Sequence, residues 1–165
     1  MSHTSFKYFI AAVALSSLPL LAAADEPTIV GYWQVTWRDA GSGDVILKVW
    51  DVWNADRTET QNDNGPVPFG NVCQGAWIPL GNRTYGLTHP AFNFDATGYP
   101  DDSISYLILE TVKVSSDGNS FRGKGFYNTI DGADPLDPTA TVLNSQNITM
   151  TGKRIRVDKS QLPQL

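Results

Sequence analysis

Residues 103–130 read SISYLILETVKVSSDGNSFRGKGFYNTI, and this stretch decides the fold. Ile104, Tyr106, Ile108, Val112 and Val114 recur at every second position, the period with which side chains alternate across a β-strand. Asp117-Gly118-Asn119 follow, residue types that tolerate the positive φ of a hairpin turn. The return run places Phe121, Gly123, Gly125, Tyr127 and Thr129 on one face and Arg122, Lys124 and Asn128 on the other. The charged face is expected in water. The even face of the outgoing run is then inward, and it carries Glu110 among apolar groups.

The same signature extends in both directions. Runs at 29–38, 45–54, 58–62, 72–78 and 84–88 precede the hairpin, an irregular segment is expected at 89–102, and 139–155 closes the chain after a proline-containing loop at 131–138. No sustained 3.6-residue period appears. Eight sequential runs with mostly short connections predict an all-β fold, an eight-stranded antiparallel up-and-down β-barrel, which has no free edges. A two-sheet sandwich is the alternative.

Residues 1–24 read as a signal peptide: Lys7, an apolar run interrupted by Pro19, then Ala22-Ala23-Ala24 as a small-residue cleavage site. The expected product is one barrel domain, 25–165, secreted or periplasmic, with no segment apolar enough to span a membrane. The chain has a net charge of −5, and loss of Lys7 makes the remainder more acidic, which argues against nucleic acid as a partner. Cys73 is the only cysteine, so no intrachain disulfide forms; its apolar surroundings mark it as a small buried hydrophobe.

Alternation turns Trp33, Val35 and Trp37 of the first run and Val49, Asp51 and Trp53 of the second inward. Val142, Asn144, Gln146, Ile148 and Met150 of the last run follow. The interior is then apolar and aromatic, with Glu110, Tyr106, Tyr127, Asn144, Gln146 and Asp51 as polar exceptions. A buried carboxylate costs several kcal/mol unless paired or neutralised, and a lumen holding water or ligand offsets that cost. Gly123 and Gly125 are expected to leave room or let the wall bend.

Gly31-Tyr32-Trp33 opens the first run, and this G-x-W resembles the opening motif of lipocalins and their wider calycin relatives. The resemblance implies that Trp33 plugs one end of the barrel and that Arg154 or Arg156 packs over its ring. A mid-chain T-D-Y motif and the lipocalin disulfide are missing, which makes this an outlying calycin-like chain. The segment 53–77 also looks like secreted bacterial lipocalin-like proteins, a likeness that implies no activity.

No nucleophile elbow, phosphate loop, dinucleotide fingerprint or C-x-x-C is present. His89 is the only histidine after residue 24, so a multi-histidine metal site is excluded, and neither a metal nor a cofactor is expected. Asp131, Asp134 and Asp137 lack a calcium-loop spacing and read as solvated acids. The leading expectation is a non-enzymatic exported barrel that binds a small hydrophobic molecule, lined by Trp53, Tyr106, Glu110 and Tyr127. One alternative is an isomerase, cyclase or hydro-lyase using Glu110 or His89 as acid–base group, with His89 paired to Asp95 at the barrel mouth. Another is a structural or interaction protein with a filled core.

Overall fold

The computed structural model describes residues 28–66 and 72–163. The signal-peptide reading of 1–24 lies outside them. Eight strands follow in order: β1 (Gly31–Asp39), β2 (Val45–Trp53), β3 (Thr58–Asp63), β4 (Val72–Gly81), β5 (Thr84–Phe94), β6 (Pro100–Val114), β7 (Ser120–Asp131) and β8 (Val142–Arg154). Each pairs antiparallel with its neighbours, and β8 pairs back onto β1, so the sheet closes into a barrel.

The inward faces follow the alternation. Trp33, Val35 and Trp37 of β1 and Val49, Asp51 and Trp53 of β2 are buried, as are Ile108, Glu110, Val112 and Val114 of β6. On β8 the pattern holds for Ile148 and Met150, while Val142 and Asn144 are exposed. Of the five tryptophans only Trp50 is exposed. Gly123 and Gly125 leave no void. A Cβ on Gly123 would lie 2.6 Å from Val112 and 2.8 Å from Met150, and one on Gly125 would lie 2.3 Å from the Leu109 carbonyl. They let β7 approach its neighbours closely.

The end at which β1 begins and β8 finishes is plugged. Trp33 donates from Nε1 to the Ile29 carbonyl at 2.7 Å and meets Phe121 edge-on at 5.0 Å. Arg154, not Arg156, lies over the Trp33 ring, 4.1 Å from its centroid. Its guanidinium donates to the carbonyls of Val30, Thr28 and Gly118. Gly31 is required here: its φ is +141°, and a Cβ would lie 2.3 Å from the guanidinium. Trp53, Trp77 and Tyr85 pack in sequence beside this plug.

The segment expected to be irregular is ordered. β5 continues through Pro90 to Phe94, and β6 begins at Pro100. The β4–β5 ladder runs only from Gly81–Thr84 to Ala76–Thr88. Beyond it β5 pairs with β6 alone, a setting that tolerates a proline. The connection 132–141 folds back on the outer wall: Gly132 N–H bonds the Ser103 carbonyl, and Pro135 is buried. Ser105 and Ile130 are buried although they lie outside the core cluster.

Candidate functional site

The short turn after β2 sets a register in which Trp53 faces Glu59 and Asp51 faces Gln61. Residues opposite each other share a face, so an inward Trp53 brings Glu59 and Gln61 inward too. Both are buried, Glu59 at 1% exposure. β4 contributes Gly75 beside them, where a Cβ would lie 2.7 Å from Glu59 Oε2 and 2.9 Å from the Thr88 carbonyl. The missing side chain is the space the Glu59 carboxyl occupies.

His89 of β5 is fully buried, and its Nδ1 lies 2.9 Å from Glu59 Oε2. This corrects the expected pairing with Asp95. Asp95 instead organises the β5–β6 turn, accepting from the backbone N–H groups of Thr97 and Tyr99. Asp51 Oδ2 accepts from Trp53 Nε1 at 2.7 Å, and the Asp51 carboxyl is also a hydrogen-bonding neighbour of Glu59. A chain of contacts thus runs down the lumen, His89 to Glu59 to Asp51 to Trp53. Glu110 faces the same interior from β6, opposite Leu87 and two pairs below the His89–Ile108 pair.

Burial dominates the electrostatics. It raises Asp51 well above the usual carboxylate range, helped by the hydrogen bond and charge of Glu59. It raises Glu110 in the same way, with the Asp51 charge adding to the effect. Burial pushes Glu59 up to about 7, against a hydrogen bond with Asp51 that lowers it. It pushes His89 down to about 4, against the charges of Asp51 and Asp63. The short Glu59–His89 contact is therefore a hydrogen bond to a neutral imidazole, with no exposed atom on either side chain to favour an ion pair. His89 Nε2, Glu110 Oε1 and Ser105 Oγ are buried without a hydrogen-bond partner, as are Asp51 Oδ1 and Glu59 Oε1 unless one of these two neighbouring carboxyls holds a proton and donates to the other.

Above this chain lies a chamber of about 50 Å³, walled by His89, Gln61, Asp63, Cys73, Tyr106 and Tyr127 together with Trp37, Ile108 and Phe92. Tyr106 and Tyr127 pack at 5.3 Å, and the Tyr106 hydroxyl donates to Asn93 Oδ1. Burial raises the Tyr127 phenol, and it pushes the Cys73 thiol up to about 12 with the charges of Asp63 and Glu59 adding to the effect. Where the β4–β5 ladder has ended, a groove on the outer wall lies between Val72, Cys73 and Gln74 on one side and Pro90, Ala91, Phe92 and Phe94 on the other. It shares Cys73, Ala91 and Phe92 with the chamber.

Of the residues expected to line a lumen, Tyr106 and Tyr127 stand on the chamber wall, whereas Glu110 and Trp53 lie outside its lining. His89 is on the wall, and no hydrogen bond joins it to Glu110. Glu59 and Gln61 were not anticipated: TETQND reads as polar on both faces. Only the register imposed by Trp53 could have pointed to them. Among the described residues no group of three His, Cys, Asp or Glu side chains is placed to hold a metal ion. No helix among them is long and apolar enough to cross a membrane. No protein-family model, curated protein or solved structure matches the chain.

Proposed function

We propose that the chain is an exported, calycin-like barrel that holds a small guest in the upper lumen, with His89 as its polar contact. The observation that carries this reading is His89 Nε2, which is buried, lacks a protein partner and belongs to a ring on the chamber wall. A histidine kept only for packing is expected to have both nitrogens satisfied. The Gly31, Trp33 and Arg154 arrangement supports the calycin-like assignment, and the leader-like 1–24 supports export.

The chamber narrows the expected ligand. Pockets for drug-sized ligands run from roughly 300 Å³ upward, against about 50 Å³ here. The guest therefore has few non-hydrogen atoms and meets a hydrogen-bonding group as well as aromatic walls. A second reading, acid–base catalysis, is favoured by the contact between His89 and Glu59, which orients the imidazole as a general base is oriented.

Native mass spectrometry of protein purified from its own host is expected to release a small molecule that is absent from His89→Ala protein. An empty wild-type barrel would overturn the proposal if, in a crystal structure, ordered water alone bonded His89 Nε2. That outcome would favour a filled structural core.

A further inference from the structure

We propose that the guest is a small organic cation, an ammonium group on one or two carbons, and that it binds with loss of the proton shared between His89 and Glu59. This inference rests on the lumen-guest reading and names its chemistry.

Charge is the first argument. The interior receives carboxyls from β2 (Asp51), β3 (Glu59, Asp63) and β6 (Glu110). Among the described residues no lysine or arginine stands on the chamber wall. Arg154 is committed to three carbonyls at the plugged end, and Arg38, Lys48, Lys113, Arg122, Lys124 and Lys153 are exposed. An anion would enter a chamber with nothing to neutralise it. A cation would meet Asp63 and a wall that includes the aromatic rings of Trp37, Tyr106 and Tyr127, side chains whose quadrupoles can attract positive charge.

Tautomer chemistry is the second, independent argument. Only one proton fits between His89 Nδ1 and Glu59 Oε2 at 2.9 Å. If Glu59 holds it, a neutral imidazole carries its other hydrogen on Nε2, the unpartnered nitrogen of a ring that lines the chamber, and that N–H repels an ammonium. If Glu59 is ionised, the hydrogen sits on Nδ1, where Glu59 accepts it. Nε2 then presents a lone pair that can accept from an ammonium N–H. Binding a cation thus requires Glu59 to give up a proton to solvent, and the guest's charge replaces it.

The other titratable groups facing the pair do not supply this behaviour. Burial raises Asp51 and Glu110 well above the usual carboxylate range, and it raises the Cys73 thiol and the Tyr127 phenol. Asp63, whose charge reaches His89, and Tyr106 stand on the chamber wall and are hydrogen-bonded to other groups, Asp63 to Gln61 and the Gly65 N–H and Tyr106 to Asn93. Glu59, pushed up to about 7, is the group that ionises in the neutral range.

The test is an NMR titration of the purified protein with methylammonium chloride, formamide and sodium formate, following the Trp37 indole and the His89 ring nitrogens. Methylammonium is expected to bind about tenfold more tightly per pH unit between roughly pH 5 and 7, and with constant affinity above, as release of one proton requires. Glu59→Gln is expected to bind methylammonium at least about tenfold more weakly at pH 7 and to lose the slope, since an amide cannot ionise. Formate is expected not to bind. Wild-type protein that binds methylammonium with no pH slope would overturn the inference even if the variant failed to fold. Formamide or formate shifting the chamber signals while methylammonium does not would overturn the inference and leave the lumen reading standing. No shift with any of the three would overturn both.

Discussion

Gly75 and Glu59 depend on each other at the scale of single residues. A methyl at position 75 would press on the Glu59 carboxyl and on the Thr88 backbone. Gly75→Ala is expected to destabilise the fold by about 1–3 kcal/mol, the usual cost of overpacking, read as a lower urea midpoint. It should also shift the His89 ring resonances, because Glu59 Oε2 is the atom displaced. An unchanged midpoint and spectrum would mean that the carboxyl does not sit there. At this scale the sequence is unevenly legible. Gly31 and Trp33 are readable as a motif, and Glu110 as an acid among apolar neighbours. Glu59 is not, because a six-residue polar strand has no hydrophobic face to orient it.

Arg154 ties β8 to the segment before β1 and to the turn before β7. Three backbone carbonyls and one indole face depend on it. Arg154→Met is expected to cost about 2 kcal/mol, since hydrogen bonds to a charged donor are stronger than neutral ones and the part-buried contacts to the Val30 and Gly118 carbonyls would be lost. Arg154→Lys should recover less than half of that, because an ammonium cannot span the three acceptors of a planar guanidinium. Equal stability of the two variants would show that charge alone matters. Among the strands, seven were placed from alternation and turn residues with small boundary differences. The exception is β5, where Pro90 and Asn93 look like punctuation. They are tolerated because the ladder to β4 has already ended, and no local pattern reveals where a neighbouring strand stops pairing.

For the whole molecule, the buried acids set an unusual dependence on pH. A carboxyl raised in the folded state contributes stability that is full below its unfolded value and lost as pH rises through its folded one. Asp51, Glu59 and Glu110 are all of this kind, and Glu59 completes its loss near 7. His89 runs the other way: its contribution is full above 6.5 and lost as pH falls through about 4. Three acids outweigh one imidazole between these limits. The urea midpoint is therefore expected to fall from about pH 5 to about pH 7, and Glu59→Gln to fall less. A midpoint that rises with pH would contradict the protonation states assigned to the lumen. The barrel as a whole was legible because strand count and alternation survive small errors. The size of its chamber was not, because volume depends on how particular side chains fill space.

Closure of the sheet also orders events in time. The Arg154 guanidinium and the Val30 carbonyl it binds are 124 residues apart. A ribosome delivers β1 first and its second partner, β8, last, so the earliest strand made is the latest to be completed. Until then β1 has one paired edge and one bare edge, and non-local pairing of this kind is slow to form. A chain that lacks β8 keeps β1 with a bare edge, which invites association between chains. The last strand is thus the timing element of the barrel: the sheet cannot close before β8 has been made.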